Sequence, residues 1–304
     1  MVNKYMKQLN AVIRTNLEQR GMDKVELTEE LERSAKELLE GTTIFIVTGF
    51  VIRDTLTGET DGPIGAVSLA GALEQLGKKV ILITDRYSRD MLYHCIKTKN
   101  LEIPVEIMPY GKEKEFSNHM LLKYRPSHVV AVERPGRAAD GKCYSMRGED
   151  LSDLVPNTDI LFEESKKRQI TSIAVGDGGN EIGMGRVRDH VVASVHRGRE
   201  ICAVLCTDYL VVAGVSNWGG HALAAALSLL TKKMLLHNAG EEIKLLKGMV
   251  AAGAVDGCTK KREMTVDGLC LEENLNILQL LRNVVEAYLL EHQEAAESIG
   301  SIIR

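Results

Sequence analysis

The stretch TTIFIVTGF at residues 42–50 determines the fold class, because it is a continuous apolar run, rich in β-branched residues, that stops at a glycine. Such a run is typical of a parallel strand buried on both faces. Further stretches repeat the pattern, each separated from the last by a segment suited to a helix or loop. They are KKVILITD (78–85), IPVEIMP (103–109), PSHVVAVERPG (126–136), TSIAVGDGG (171–179), and either ICAVLC (201–206) or DYLVVAGVSN (208–217).

Helices are predicted between and after these strands, at 63–76, 88–98, 112–124, 218–234, 241–252 and 272–291. Alternating strands and helices indicate an α/β fold with a mainly parallel, doubly wound (Rossmann-like) sheet and helices on both faces. Two more helices are predicted before the first strand, the second ending at Gly41. We therefore expect extra helices at both ends and a single domain over 1–304, with 1–41 packed on it as a helical extension.

The composition of the chain indicates which kinds of binding partner to expect. The net charge is −4 and the aromatic content 4%, with no basic stripe, so nucleic acid is not an expected partner. No apolar run reaches the roughly 18 residues that a membrane span needs, so no membrane partner is expected either. The first residues show helical spacing rather than the apolar core of a signal peptide. Six cysteines without a CxxC pair favour a reduced, cytoplasmic location.

The polar, glycine-rich clusters follow the predicted strands, at the edge where doubly wound sheets bind ligands. One of them, AVGDGGNEIGMG (174–185), matches neither the P-loop nor the dinucleotide fingerprint. Asp177 and Glu181 are candidate catalytic acids or bases, and Asn180 is a candidate substrate-binding residue. A tight turn with a capping side chain is the alternative interpretation.

Charged residues crowd the turn after the strand at 126–136. Glu133 is a third candidate catalytic residue, and Arg134 or Arg137 is predicted to clamp a substrate carboxylate, because arginine binds carboxylates with two parallel donors. A structural turn held by salt bridges is the alternative. Asp61, which precedes the helix at 63–76, is expected either to cap that helix or to bind a substrate ammonium group or a hard cation.

A similar arrangement occurs at SNWGG (216–220), where a predicted strand leads into a helix. Asn217 is predicted to line the pocket, and the backbone amides of Gly219 and Gly220 to hold a carboxylate or the reacting oxygen. His221 is interpreted as a packing residue. No cofactor is required by these patterns. If a metal is present, Mg²⁺ or Mn²⁺ at Asp177, Glu181 and Asp61 is favoured, and zinc is disfavoured.

Four motifs in the same order, GETDGPIGAVSLAGALEQLG (58–77), ERPGRAADGKCYSMRGED (133–150), GDGGNEIGMG (176–185) and SNWGGHALAAAL (216–227), resemble the D-glutamate cyclase-like C-terminal domain family over nearly the whole chain. The resemblance implies a lyase that interconverts D-glutamate and 5-oxo-D-proline plus water. Animal members of the family carry a further N-terminal domain before this region.

Two other functions remain open on the residues alone. The same groups suit a non-catalytic module that binds an amino acid or a phosphorylated metabolite, or an Mg²⁺- or Mn²⁺-dependent hydrolase or phosphoryl-handling enzyme. In every case the expected ligand is a small molecule, and the long apolar helices at both ends favour a homodimer.

Overall fold

The computed structural model describes residues 2–27 and 29–302, with side chains up to residue 293. A parallel sheet of six strands forms its centre, in the order β5-β4-β1-β6-β7-β8. Its strands are β1 (Thr43–Thr48), β4 (Lys79–Thr84), β5 (Val105–Ile107), β6 (His128–Val132), β7 (Thr171–Gly176) and β8 (Tyr209–Val212). A short antiparallel pair, β2 (Val51–Ile52) and β3 (Thr57–Gly58), follows β1. The chain winds outward from β1 in both directions, so the predicted doubly wound α/β class is confirmed.

Helices cover both faces of this sheet. They are α1 (Val2–Ile13), α2 (Leu17–Arg20), α3 (Glu30–Glu40), α4 (Pro63–Gln75), α5 (Arg89–Thr98), α6 (Glu113–Tyr124), α7 (Asp159–Lys167), α8 (Arg188–Ser194), α9 (Gly198–Ile201), α10 (Ser216–Thr231), α11 (Ala239–Ala251) and α12 (Leu271–Ile302). The helices predicted from periodicity all occur, with ends that differ by a few residues, except that α12 continues well past residue 291. The last strand is the DYLVV alternative. Three helices rather than two precede β1, and α7, α8 and α9 were not predicted.

The central strand shows why both faces are covered. Ile44 and Ile46 belong to the core on the side of α4, α10, α11 and α12, whereas Phe45 and Val47 belong to the core on the opposite side. All four are fully buried or nearly so. Since successive strand residues point to opposite faces, the apolar interior of this strand requires an apolar layer on each side.

The helices α4 and α10 pack backbone to backbone at two glycines. A β-carbon on Gly220 would lie 2.5 Å from the backbone of Gly65, and one on Gly65 would lie 2.7 Å from the Cα atom of Asn217. Only glycine permits this separation. The N-terminal ends of both helices therefore meet at the carboxyl edge of the sheet.

The helices α1 and α3 pack on the side of the sheet that carries this pair, whereas Leu17, Met22 and Val25 lie in the core on the opposite side. Leu9 of α1 and Leu31 of α3 are buried in the core that contains α10. The short α2 ends at Arg20, where Gly21 takes the left-handed conformation (φ 71°) and turns the chain. No helix within residues 2–27 or 29–302 combines the length and apolarity that crossing a bilayer requires.

Candidate active site

A cavity of about 150 Å³ lies beyond the carboxyl ends of β1, β6 and β7. The chain adds β4 and β5 on one side of β1 and then β6, β7 and β8 on the other side, so the strand order reverses between β1 and β6. Ligands of doubly wound sheets bind at such a switch point. A volume of this order holds a small organic molecule. The acids Glu59, Glu133, Asp177 and Asp267 line it together with Arg20 and Asn180, and Arg53, Arg147 and Lys260 also contribute to its wall.

Glu133 is the first residue after β6, and its backbone is strained. It has a positive φ of 45°, which non-glycine residues rarely adopt. Its side chain is buried, and Oε2 accepts a 2.6 Å hydrogen bond from the hydroxyl of Ser216 at the start of α10. Strain of this kind is concentrated at functional sites, because the surrounding structure must hold it in place.

Asp177 directly follows β7 and is paired with Arg20. Nη2 of Arg20 donates to Oδ2 of Asp177 at 3.0 Å and also contacts the carboxylate of Asp267. The side chains of all three are largely buried. Arg20 therefore joins the N-terminal helical segment to the β7 loop and to the loop before α12.

Glu181 folds back on its own loop. Its Oε1 accepts hydrogen bonds from the backbone N–H groups of Asp177 (3.0 Å) and Gly178 (2.7 Å), and its Oε2 accepts one from Gly179 (2.7 Å). Both oxygens are thus engaged in closing the glycine-rich turn, and the side chain does not reach the cavity wall. Its position keeps a carboxylate next to Asp177 and Glu133.

Asn180 leaves a hydrogen-bond acceptor free. Its Nδ2 donates to the carbonyl of Tyr144 at 2.7 Å, while its buried Oδ1 has no hydrogen-bond partner among the described residues. Asn180 lines the cavity. A buried, unpaired carbonyl oxygen is costly unless something binds it, so Asn180 is suited to accept an N–H from a ligand.

Asp61 precedes α4 but caps the start of α10, and Asn217 in the first turn of α10 caps the start of α4. Asp61 accepts from the backbone N–H groups of Ser216 (2.9 Å) and Asn217 (2.7 Å) at the start of α10. In return, Oδ1 of Asn217 accepts from the N–H groups of Gly62 (3.0 Å) and Gly65 (2.8 Å) at the start of α4. The capping interpretation of Asp61 holds, although it caps α10 rather than the helix that follows it in sequence.

Burial and mutual repulsion keep protons in this cluster. Burial, followed by the charges of neighbouring carboxylates, raises the pKa of Glu59 and Glu133 well above the ordinary range. Burial also raises the pKa of Asp177 well above its usual value, against the opposing effect of Arg20. The pKa of Asp61 rises to about 8, chiefly through burial and then through the charge of Asp267. Protonated carboxyl groups are thus present near neutral pH, as acid–base chemistry requires.

The predicted arginine clamp does not lie in the cavity. The guanidinium of Arg134 is fully buried against Asp85 and donates to the carbonyl of Gly49 and to Thr158. Arg137 pairs instead with Asp159 and Glu163. Both arginines therefore match the alternative interpretation, a structural turn held by salt bridges. Their N–H groups already donate to acidic side chains or, for Arg134, also to a backbone carbonyl and a hydroxyl.

The glycines of SNWGG also have a packing role. Gly219 lies against Val175 of β7, where a β-carbon would approach to 2.3 Å, and Gly220 lies against Gly65. Both are inside the first turns of α10 and neither lines the cavity. The space is filled by protein, so the predicted amide cradle is not open to a ligand.

Arg20 and Asp267 are two cavity residues that no sequence pattern selects. Arg20 is 157 residues from Asp177 and Asp267 is 247 residues from Arg20. Neither follows a strand or belongs to a glycine-rich motif. A charged residue on a short N-terminal helix carries no local signal that separates it from a solvated one.

Among the residues that the structure describes, two groups of three carboxylates could hold a hard cation, and both include Asp177. Within each group, Asp61–Asp177–Asp267 and Glu133–Asp177–Glu181, one oxygen per residue lies within 4.8 Å of the others. The donor set is entirely oxygen, which suits Mg²⁺ or Mn²⁺. The predicted metal ligands are therefore divided between the groups, with Asp61 in one and Glu181 in the other.

The fold and the cavity place the protein in the class of doubly wound α/β proteins, whose ligand sites lie at this edge of the sheet. A family model described as "D-glutamate cyclase-like, C-terminal" matches residues 9–282. The chain is 36% identical over 239 residues to a Homo sapiens protein named "D-glutamate cyclase, mitochondrial". That alignment covers 74% of this chain and 39% of the human protein, so the chain spans about two fifths of that relative's length. The chain belongs to the D-glutamate cyclase-like C-terminal family, and the resemblance drawn from its motifs is confirmed.

Proposed function

We propose that the protein is a D-glutamate cyclase-like lyase that interconverts D-glutamate and 5-oxo-D-proline plus water in the cavity beside Asp177. The observation that carries the proposal is a buried cluster of proton-bearing carboxyl groups facing Arg20 in a chain of this family. D-Glutamate has one ammonium and two carboxylate groups. The acidic side chains of the cavity can bind the ammonium group, and the guanidinium of Arg20 can bind one of the carboxylates.

The reaction moves protons without net uptake. Ring closure forms a bond from the amine nitrogen to the side-chain carboxyl carbon and breaks one carbon–oxygen bond. Two protons leave the nitrogen, and two reach the oxygen that departs as water. A site for this reaction needs a base and an acid near the same carbon, and neighbouring carboxyl groups that share protons meet that need.

We assign the base role to the ionised member of the pair Asp177 and Glu133, and the acid role to the protonated member. Their environments favour this division, because burial raises the pKa of both groups and the charge of Glu133 raises the pKa of Asp177 further. Glu181 keeps the glycine-rich turn closed and adds its charge to the pair, so we treat it as a positioning residue. Reversal of the roles serves the hydrolytic direction.

Binding in a bent conformation would bring the amine to the carboxyl group and lower the barrier by proximity. We assign the carboxylate that does not react to Arg20, which replaces Arg134 and Arg137 in this role. Asn180 Oδ1 accepts from the amine and orients its lone pair. Arg147, whose side chain lies at the cavity wall and makes no ion pair with a described residue, is a second anchor for a carboxylate.

A hard cation remains part of the proposal. The carboxylates of Asp61, Asp177 and Asp267 would hold Mg²⁺ or Mn²⁺, and such an ion would polarise a carboxyl oxygen of the substrate. Assay of the protein after chelation, with and without added Mg²⁺ or Mn²⁺, tests the requirement. Unchanged turnover in the chelated protein would remove the metal from the proposal.

The activity is tested by incubating the protein with D-glutamate and measuring 5-oxo-D-proline. Asp177→Asn and Glu133→Gln are each expected to lower kcat by about 100-fold or more, the range that positioned acids and bases contribute. Glu163→Gln is the matched control, because Glu163 is half exposed and pairs with Arg137 outside the cavity. Folded Asp177 and Glu133 variants with wild-type turnover would overturn the assignment. Thermal stabilisation by D-glutamate without turnover would favour the binding module instead.

Several expectations stay predictions. They are the treatment of the chain as one domain, the cytoplasmic location and the homodimer. The terminal helix α12 exposes Leu280 and Leu290, which suits an interface. Sedimentation velocity tests the dimer, and a single species at the monomer mass would contradict it.

A further inference from the structure

A second cluster of potential ligands lies behind the first turns of α10, away from the carboxylate cavity. His221 of α10, His237 of the segment before α11 and Glu242 of α11 are all buried. One ligand atom from each lies within 4.8 Å of the others. None of the three lines the cavity beside Asp177, so this cluster has no part in the function proposed above.

The ring of His221 has unsatisfied polar atoms. Neither of its nitrogens has a hydrogen-bond partner among the described residues, although the ring is almost completely buried. Its Nε2 lies 3.5 Å from Oε2 of Glu242, too far and too poorly aligned for a hydrogen bond. A buried imidazole without partners is costly, and a cation between the ring and the carboxylate would satisfy one of its two nitrogens.

The ring of His237 also directs its Nε2 atom at Oε2 of Glu242. His237 Nε2 lies 2.6 Å from Oε2 of Glu242, and the opposite nitrogen, Nδ1, makes a 3.0 Å hydrogen bond with the hydroxyl of Ser68 on α4. Hydrogen bonding of the distal nitrogen is how proteins orient metal-binding histidines. The two imidazole rings stand nearly perpendicular, with centroids 5.1 Å apart.

Burial favours the uncharged form of each side chain in the cluster, because it lowers the pKa of both histidines and raises the pKa of Glu242, whose proton an ion would displace. Burial lowers the pKa of His221 to about 4 and that of His237 to about 3, so both rings are neutral at pH 7. Neutral imidazole is the form that binds metal ions.

We propose that His221, His237 and Glu242 form a binding site for a zinc ion that ties α10 to α11. Two imidazole nitrogens and one carboxylate oxygen are a donor set that zinc uses, with bond lengths of roughly 2.0–2.2 Å. Ligand atoms in a tetrahedral site of that size lie about 3.4 Å apart. The 3.5 Å separation of His221 from Glu242 already matches this spacing, and the His237–Glu242 pair has to open by less than 1 Å.

The residues around the cluster connect it to solvent and hold the segment of His237 in place. His237 also borders a surface cleft lined by Lys99, Asn238, Glu241 and Arg282, which gives an ion a route from solvent. Arg282 donates to the carbonyls of Leu236 and His237 and so fixes the segment that carries the second histidine. The ion therefore enters a prepared position rather than a mobile loop.

The experiment measures metal in the intact chain purified without chelators. Elemental analysis is expected to give one zinc per chain in the wild type and in Asp177→Asn, which alters only the carboxylate cavity. His221→Asn and Glu242→Gln are expected to lower zinc affinity by about tenfold or more. Loss of zinc in Asp177→Asn with retention in His221→Asn would place the ion in the other site and overturn the proposal.

A second measurement covers variants that fail to fold. Chelator-treated wild-type protein is titrated with Zn²⁺ or Co²⁺. A rise in Tm with Zn²⁺ and the intense visible bands of tetrahedral Co²⁺ are expected, with displacement of those bands by Zn²⁺. Absence of zinc in the purified protein, together with no shift in Tm and no Co²⁺ bands, would overturn the site and leave a hydrogen-bonded His237–Glu242 pair.

Discussion

Glu133 combines a strained backbone with a buried carboxyl group that has no arginine partner in the described chain. Because burial and the neighbouring acids raise its pKa, the folded protein binds more protons than the unfolded chain at pH values between the two pKa values. The free energy of unfolding therefore falls as pH rises through that window. At low pH, where the group is protonated in both states, the penalty disappears.

This residue gives a prediction in which function and stability move in opposite directions. Glu133→Gln should stabilise the protein at pH 8 by about 1.4 kcal/mol for each pH unit between the unfolded pKa and the folded pKa that lies below pH 8, and should have little effect at pH 5. The amide oxygen can still accept from Ser216. Urea unfolding of the variant and the wild type at both pH values measures the difference. An equal effect at pH 5 and pH 8 would show that the side chain is not held protonated.

Asn217 caps α4 and does not act on the substrate, so its replacement should lower stability as well as turnover. Asn217→Ala removes the acceptor for two buried N–H groups at the start of α4. We expect a loss of about 2–4 kcal/mol in the free energy of unfolding, together with reduced turnover, because Asp61 and α4 would shift.

The matched control for this cap is Asn238→Ala. Asn238 caps α11 through one hydrogen bond to the N–H of Glu241 and is exposed. Its loss should cost about 1 kcal/mol and leave turnover unchanged. Equal losses of stability in the two variants would argue against the buried double cap. Both effects are read from urea unfolding and the D-glutamate assay.

At the scale of elements, the contact between α4 and α10 controls the geometry of the cavity edge. Gly220→Ala places a methyl group against the backbone of Gly65, where neither helix can yield without moving. We expect a destabilisation of about 1–3 kcal/mol. Gly248→Ala in α11 is the control, because its β-carbon meets only the ring of His94 at 3.4 Å. That change should stabilise the helix by about 0.5–1 kcal/mol. Thermal unfolding of both variants measures the contrast.

The elements themselves were largely predictable. Continuous apolar runs identify β1, β4, β6 and β7, and helical spacing identifies α1, because burial on two faces or on one stripe leaves a direct trace in the sequence. Strand order leaves no such trace. The helices α8 and α9 are too short for a periodic signal, and they were missed for that reason. Capping was predicted at Asp61, but the helix it caps belongs to another part of the chain.

The site as a whole was predicted only where it follows strands. Glu133, Asp177 and Asn180 were found because the carboxyl ends of parallel strands meet at one edge. Arg134 and Arg137 belong to the same motif as Glu133, but their partners Asp85 and Asp159 became visible only with the fold. Arg20 reaches the cavity from the N-terminal segment, and nothing local predicts that contact.

At the scale of the whole molecule, ligand binding should link distant parts of the chain. D-Glutamate held by Arg20 and Asp177 should slow hydrogen exchange in residues 17–22 and 256–268, because both segments contribute to the cavity or to its wall. The helix α6 contributes no residue to the cavity and should exchange at an unchanged rate. Hydrogen-exchange mass spectrometry with and without D-glutamate tests this. Protection confined to α6 would contradict the assigned site.

The contact between Arg20 and Asp267 also determines when the cavity becomes complete during synthesis. Its partners are separated by 247 residues, so one leaves the ribosome long before the other. At roughly 5–20 residues per second, the delay is on the order of ten to fifty seconds. Arg20 and Asp177 can pair only in the last part of that interval, once Asp177 has been made, and the loop that carries Asp267 is then still missing. All strands of the sheet are therefore made before the last side chain of the cavity wall.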